Sequence, residues 1–245
     1  MSTSDGRRGG DRRLHPGEWI ETGKGAQAQL DLESFGQIVV NPDSRLKLAE
    51  SRENRQRLEL ERGSLHATIW APPGRFSVAT PSATAVDLGC VYDLETDLQG
   101  NGLVRVEGGW VAFEDRGRES FIPAGALCKT SRGRGPGVPY FDNASLALKT
   151  LVDRFDLTGR TDGLGAALES SSSHDGVTLW HLLRRVPESE RGPTYDRFAA
   201  LLPVPTGVSR DGIIKGDRQM LDALWDSLGY GDADWWRTWK SRGPG

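Results

Sequence analysis

Histidine, cysteine and paired carboxylates are the side chains in this 245-residue chain that could do chemistry. The histidines are His15, His66, His174 and His181, and the cysteines are Cys90 and Cys128. The seven-residue spacing of His174 and His181 could place them on one helix face, with Asp175 beside them. That spacing is not a zinc signature, and the cysteines are distant in sequence. The sequence therefore predicts no metal site and no cofactor.

Catalysis has equally little support in the sequence. Asp87 and Asp93 are six residues apart in one strand run, as paired carboxylates of a sugar hydrolase could be. Gly89 and Cys90 intervene, however, and no aromatic platform accompanies the pair. No Gly-x-Ser-x-Gly, phosphate-binding loop or dinucleotide fingerprint is present. We therefore predict a non-enzymatic protein without catalytic residues, and a carbohydrate-active enzyme on a β framework is the weakest alternative.

Tryptophan is the residue type most suggestive of binding. Eight tryptophans occur, and Trp235, Trp236 and Trp239 crowd together near the end of the chain. They could complete a helical core, but three tryptophans at this spacing cannot all face one narrow stripe. Because exposed tryptophan is favoured at interface hot spots, we predict partner-binding residues at Trp235, Trp236 and Trp239. We expect Trp70 and Trp110, in contrast, to pack within a β core.

Composition excludes several partner classes. The formal net charge is −3, so nothing predicts the clustered basic surface that nucleic acids require. No apolar window reaches the length of a membrane span. The first 15 residues are polar and predict no signal peptide, which leaves a cytoplasmic location as one alternative.

Period-two alternation predicts short half-buried strands between about residues 18 and 130. Glycines punctuate these strands at positions that suit tight turns. A pattern of strand, glycine corner and strand occurs twice, from Leu58 to Ala67 and from Val104 to Phe113. Stacked coils would repeat in this way, so we favour a β-solenoid over a β-sandwich.

The period changes to that of helices beyond residue 141. Leu148, Leu151, Val152 and Phe155 follow helical spacing, with Asp142 or Asn143 expected as the N-cap and Pro193 expected to open a later helix. We predict an all-β domain followed by a small bundle of antiparallel helices. The predicted limits are a disordered tail at 1–16, a β domain at 17–130, a Gly/Pro linker at 131–141, a helical domain at 142–240 and a tail at 241–245.

One stretch identifies a family resemblance. Phe76-Ser-Val78-Ala-Thr80-Pro81-Ser82-Ala83, continuing to Leu94, resembles the F-x-V-x-T-P-x-A motif of the FecR domain family. Asn41 to Leu48 is similar to its N-x-x-S-x-L-x-L element, and Leu58–Ala67 and Val104–Phe113 to its strand pairs. The resemblance covers about residues 17–130.

This resemblance implies an extracytoplasmic β domain held by one membrane helix. Well-known members relay a signal from a TonB-dependent outer-membrane receptor to a cytoplasmic sigma factor. Here Cys90 replaces the usual Thr, Tyr92 replaces the usual Phe, and the expected helical C-terminal part differs from the receptor-binding domain of transport-linked members. The implied location is periplasmic, in an anchored protein whose anchor lies outside this chain.

The implied compartment is oxidising, where a disulfide persists. Cys90 and Cys128 are the only cysteines, both lie in the predicted β domain, and both follow a glycine turn. We therefore predict a Cys90–Cys128 disulfide, with two separately buried thiols as the alternative.

The leading functional hypothesis is a FecR-type regulatory binding module that transmits a signal to an unidentified protein partner, with sigma-factor control as its output. A structural scaffold of the cell envelope is the alternative. A sigma-factor gene beside this one would favour regulation.

Overall fold

Alternating burial is the rule along the strands, as the period-two pattern predicts. Leu58 and Leu60 are buried while Arg57 and Glu59 are more accessible, and other strands repeat this alternation.

The structure is a computed structural model that describes residues 2–3 and 13–230. The chain divides into two compact units between Gly137 and Val138.

The first unit is built from β-strands that form two connected sheets. The strands are β1 Ser2–Thr3, β2 Trp19–Glu21, β3 Ala28–Asp31, β4 Gly36–Val40, β5 Arg45–Arg52, β6 Arg55–Ile69, β7 Phe76–Ala79, β8 Thr84–Asp87, β9 Val91–Thr96, β10 Gly102–Gly108, β11 Trp110–Asp115, β12 Arg118–Pro123, β13 Ala126–Ser131 and β14 Gly135–Pro136. One sheet follows the order β1-β2-β5-β6-β7-β8-β11-β12, and the other follows β3-β4-β6-β9-β10-β13-β14.

Strand β6 belongs to both sheets because it turns at Gly63. Its first half pairs with β5 and β7, and its second half pairs with β4 and β9. Gly63 has φ +89°, and a Cβ there would lie 2.2 Å from Ser44 Oγ. The Ser44 hydroxyl is buried and accepts a hydrogen bond from Ser64 N at 2.8 Å. The corner therefore requires both a glycine and this close serine.

A second glycine corner lies at Gly109, between β10 of one sheet and β11 of the other. The repeat seen in the sequence thus corresponds to two places where the chain crosses between sheets. Stacked solenoid coils would pair equivalent strands in parallel. In the part of the chain that the structure describes, β6 and β7 form a parallel pair, and the registered pairs beside them are antiparallel. The predicted solenoid is not confirmed.

Two stretches predicted to lack regular structure contain short strands. Ser2–Thr3 pairs antiparallel with β2, although residues 1–16 have the composition of a disordered tail. The predicted linker at residues 131–141 includes the end of β13, all of β14 and a short strand β15, Tyr140–Phe141. Backbone hydrogen bonds of β14 to Thr130 and Ser131 explain how a Gly/Pro-rich stretch acquires order.

The second unit is helical beyond β15 within the described residues. Its helices are α1 Leu146–Thr158, α2 Leu164–Glu169, α3 Gly176–Arg185, α4 Glu188–Leu201, α5 Arg210–Lys215 and α6 Arg218–Ser227, with a 3₁₀ turn at Ser173–Asp175. This confirms the predicted order of a β-rich region followed by helices. The antiparallel bundle proposed for the helices is not confirmed.

Helix ends differ from their predicted positions. Ser145, rather than Asp142 or Asn143, caps α1 by accepting a hydrogen bond from Leu148 N at 3.1 Å. Pro193 lies inside α4 rather than at its start, because Glu188 already begins that helix. Asp217 caps α6 through Met220 N, at 3.0 Å.

Candidate functional site

Three polar side chains from adjacent strands meet on the accessible face of the sheet, and we call His66, Asp93 and Glu107 the outer cluster. His66 lies between buried Leu65 and Ala67 on β6, so the strand's alternation directs it outward. Asp93 on β9 lies directly opposite His66 in backbone register. The His66 Nδ1 atom is 2.9 Å from Asp93 Oδ1, which makes the two side chains a hydrogen-bonded pair.

Glu107 joins this pair from β10 through an irregularity in the strand. The β9–β10 register shifts between Val106 and Gly108, which places Glu107 in a bulge. A bulge changes the direction of the side chain that it carries. One potential ligand atom from each residue of the outer cluster lies within 4.8 Å of the other two. Alternation alone predicts the outward direction of His66, but only the strand order brings Asp93 and Glu107 to it. No pattern in the sequence marked Glu107.

A second polar group is buried, and we call Asp87, Cys90 and Tyr92 the inner cluster. Asp87 ends β8 and is 1% exposed. One of its carboxylate oxygens accepts a hydrogen bond from Gly89 N at 2.7 Å, and the other accepts one from the Cys90 thiol. Asp87 and Asp93 therefore do not form the paired carboxylates considered from the sequence, because Asp87 is buried and Asp93 is on the outer face.

Burial controls the protonation of the inner cluster. It raises the pKa of Asp87 to about 7, against the lowering effect of the hydrogen bonds from Cys90 and Gly89. Burial, and then the charge of Asp87, raise the pKa of Cys90 far above its ordinary value. Since the thiolate is the nucleophilic form of cysteine, this thiol is unreactive at neutral pH.

Tyr92 contributes a buried hydroxyl to the inner cluster. Burial raises the pKa of Tyr92 well above its ordinary value, and the charges of Cys90 and Asp87 add to this effect. Within the described part of the chain, its Oη atom has no hydrogen-bond partner. Phenylalanine would fill this position without leaving a polar atom unsatisfied.

Backbone packs tightly against the inner cluster at the second glycine corner. Gly109 has φ +69°, and a Cβ there would lie 2.0 Å from Gly89 O and 3.0 Å from Cys90 Cα. The two glycines thus allow the β10–β11 corner to pass directly over the turn that carries Cys90.

The predicted disulfide between Cys90 and Cys128 is absent, and this is a correction to the sequence analysis. Both residues are buried free thiols. Strand β10 lies between β9 and β13, and Cys128 is aligned with Val104, which is aligned with Leu94. Two strand spacings amount to about 10 Å, beyond the Cα separation of about 7 Å that a disulfide can bridge. Cys90 lies four residues before Leu94, just ahead of β9, and the similar glycine turns that precede the two cysteines do not bring them together.

The remaining histidines do not converge. His181 is fully buried on α3, where its Nδ1–H donates to Val177 O at 2.8 Å. Burial lowers its pKa well below the ordinary value, so the ring is neutral. His174 is exposed in the 3₁₀ turn, and its ring packs against that of Phe141 in a tilted arrangement with centroids 4.0 Å apart. Asp175 accepts a hydrogen bond from Ser172 N at 2.8 Å and takes part in the capping of the 3₁₀ turn.

The tryptophans have contrasting environments. Trp110 packs against Phe121 with ring centroids 5.3 Å apart. Trp70, which we expected to be packed, is 55% exposed, although its backbone N–H is held by Phe35 O at 3.0 Å. Ile69, the last residue of β6, is buried, so the alternation of the strand directs the next side chain, Trp70, outward. The predicted partner residues Trp235, Trp236 and Trp239 lie outside the described residues.

The Thr80-Pro81-Ser82-Ala83 motif forms the turn between β7 and β8. The Thr80 hydroxyl donates to Ala83 O at 2.9 Å, and Thr80 N donates to the same oxygen at 2.8 Å. Ser82 is buried, and its hydroxyl is hydrogen-bonded to that of Thr130. The motif is therefore a structural one, which fixes a tight turn in the β unit.

No helix within residues 13–230 has the length and apolar character needed to cross a bilayer. No curated protein matches the chain.

Two solved structures show weak likeness to the chain. Both are described as crystal structures of a putative anti-sigma factor from Parabacteroides distasonis ATCC 8503. The first has 16% sequence identity and a TM-score of 0.45, over 54% of this chain and 64% of the other. The second has 16% identity and a TM-score of 0.44, over 62% of this chain and 73% of the other. This chain thus spans less than two thirds of the length of the first.

The family comparison agrees with the motifs. The model of the FecR protein family matches residues 18–112, which include both glycine corners and the turn at Thr80. The resemblance predicted for residues 17–130 is therefore confirmed over most of its length. Residues 18–112 of this chain are a FecR domain.

Proposed function

We propose that this protein is a non-enzymatic regulatory module of the FecR type, which relays a signal by protein–protein contact to a system of sigma-factor control. The match of residues 18–112 to the FecR family carries this proposal. The description of the structural neighbours as anti-sigma factors is in keeping with it. A structural role in the cell envelope is the second candidate.

The state of Cys90 supports a non-catalytic role. This residue replaces the threonine that is usual in the family motif, so a reactive thiol would be the simplest route to a new activity. Its buried thiol instead donates to Asp87 and is held in the protonated form. The inner cluster therefore acts as part of the core.

Trp70 supports contact with a protein partner. Its indole is 55% exposed, while the backbone on both sides is fixed by hydrogen bonds from Trp70 N and Ala71 N to Phe35 O, at 3.0 and 3.1 Å. A large exposed side chain on a fixed loop loses little conformational entropy on binding, and tryptophan is enriched at interface hot spots. We also propose that Trp235, Trp236 and Trp239 contribute to partner binding, as the sequence suggests.

Deletion of the gene in its native bacterium, followed by sequencing of transcripts, tests the regulatory role. We expect genes that share one class of promoter to change expression several-fold, and the full-length native gene to restore them. Unchanged transcription in the deletion strain contradicts the proposal. Loss of envelope integrity with unchanged transcription would favour the scaffold.

Substitutions in the restoring gene test the proposed contact. We expect Trp70→Ala, and separately the triple substitution of Trp235, Trp236 and Trp239 by alanine, to restore transcription poorly. Leu98→Ala is the matched control, because Leu98 is 80% exposed in a turn and leucine is under-represented at hot spots. Full restoration by both tryptophan variants, at wild-type protein levels, excludes these residues from the contact.

The proposed location is periplasmic, with the chain anchored through a segment outside it. Fusion of alkaline phosphatase to the C-terminus of the native full-length protein tests this location. Phosphatase activity is expected, because the enzyme requires the oxidising periplasm to form its disulfides. An inactive fusion, present at normal levels, places the domain in the cytoplasm.

A further inference from the structure

We propose that the outer cluster binds a divalent transition-metal ion. His66 offers an imidazole nitrogen, and Asp93 and Glu107 each offer a carboxylate oxygen. Imidazole together with carboxylate suits ions such as zinc, manganese, iron and nickel, whereas soft ions prefer sulfur ligands. Three protein ligands leave coordination positions for water or for a further ligand.

The distances are close to those of a metal centre. Zinc binds nitrogen and oxygen at about 2.0–2.2 Å, so neighbouring ligands of a tetrahedral ion lie about 3.3 Å apart. The 2.9 Å separation of His66 Nδ1 and Asp93 Oδ1 is within a few tenths of an ångström of that value. Glu107 is exposed, and it offers a carboxylate oxygen within 4.8 Å of the other two ligand atoms on a long side chain with several rotatable bonds.

The framework beneath the ligands is fixed by the core. His66 lies between Leu65 and Ala67, and Asp93 lies between Tyr92 and Leu94, all four of which are buried at 0% exposure. The ligands therefore project from backbone that needs no rearrangement. Sites on strands hold their ligands more accurately than sites on loops.

The bulge in β10 is a second observation that points to the same place. It inserts Glu107 between the Val106–Tyr92 and Gly108–Val91 pairs. Such an insertion disrupts the ladder locally, and bulges are over-represented where a side chain must be re-aimed. Arg105 lies opposite Asp93 in register, so its positive charge opposes that of a bound ion and limits the affinity.

Calorimetric titration of zinc chloride into the full, untagged chain, previously stripped with a chelator, tests the proposal. We expect one site per chain. Removing a ligand with the isosteric substitutions Asp93→Asn and Glu107→Gln, or with His66→Gln, is expected to weaken zinc binding at least tenfold. Glu53→Gln is the matched control, because it removes one carboxylate from an exposed turn and is expected to bind zinc like the wild type.

The histidine that binds is identified by NMR of the imidazole signals. One signal is expected to shift on addition of one equivalent of zinc, and to be missing from His66→Gln. Circular dichroism in chelator establishes that each variant is folded, as expected for substitutions at accessible positions. Absence of binding at millimolar zinc overturns the proposal. Zinc binding that survives all three substitutions also overturns it, as does a shift of the His15 or His174 imidazole signal in place of that of His66. The site would bind its ion whether or not the protein relays a signal, so its failure leaves the proposed function untouched.

Discussion

The inner and outer clusters lie close together along the chain but differ in everything that decides their chemistry. Tyr92 and Asp93 are neighbours on β9, one directed into the core and the other to the accessible face. In the inner cluster, burial keeps Asp87 and Cys90 protonated up to neutral pH or beyond. In the outer cluster, half-buried His66 and Asp93 remain accessible to an ion. The comparison teaches that here burial, rather than residue type, separates a structural group from a binding one.

The largest loss of stability is expected at Gly109, where the backbone packs directly against the inner cluster. Gly109→Ala would place a Cβ 2.0 Å from Gly89 O in a residue with φ +69°. We expect it to destabilise the β unit by more than about 4 kcal/mol, as in the severe class of substitutions.

Gly117→Ala is the matched control for this substitution. Gly117 has φ +83° but no atom within 4 Å of an added Cβ, so only backbone strain of about 1–2 kcal/mol is expected. Urea unfolding followed by circular dichroism measures both variants. Equal midpoints would show that the close approach at Gly109 contributes nothing.

The carboxyl of Asp87 is expected to have the next largest effect on the free energy of unfolding, and this effect depends on pH. Its pKa is raised from 3.8 to about 7 in the folded chain. The proton therefore stabilises the folded state fully below about pH 4, and this contribution is lost as pH rises toward 7. At 1.36 kcal/mol per pKa unit the loss is at most about 4 kcal/mol.

Asp87→Asn removes this titration. We expect the free energy of unfolding of the variant to lack the fall that the wild type shows between pH 4 and 7. Urea unfolding at a series of pH values measures the difference between the two curves. Parallel curves would mean that Asp87 titrates normally, and the inner cluster would then resemble the outer one.

Tyr92→Phe, also in the inner cluster, is expected to change the free energy of unfolding by a smaller amount. The substitution removes a buried hydroxyl that has no hydrogen-bond partner among the described residues. We expect the free energy of unfolding to rise by about 1 kcal/mol, because the desolvation cost of an unpaired hydroxyl is about 1–3 kcal/mol. A loss of stability in thermal unfolding would show that the hydroxyl has a partner in solution, such as a buried water.

The hydrogen-bonded pair of the outer cluster, His66 and Asp93, is expected to contribute least to the free energy of unfolding. A double-mutant cycle of His66→Gln and Asp93→Asn, measured by urea unfolding in the presence of a chelator, should yield a coupling of less than about 1 kcal/mol. Both side chains are partly accessible to solvent, which weakens their attraction. A coupling of several kcal/mol would mean that this pair holds the sheet together and is not kept for binding.

The family motif made much of the β unit predictable. The turn at Thr80 and the strand alternation around Leu58 depend on residues close together in sequence. Local geometry decides such features, so they can be inferred without knowing the fold. The change to helical period after residue 141 was predictable for the same reason.

The sequence by itself thus determined the inward and outward alternation within strands such as β6, and the turn at Thr80. The tertiary structure alone decided which of them meet. His66 and Asp93 are 27 residues apart and become neighbours only because β6 pairs with β9. Cys90 precedes β9 and Cys128 lies on β13, and β10 separates these two strands although both cysteines follow similar turns. Alternation has a period of two along any strand, but the order of strands in a sheet depends on contacts over the whole domain.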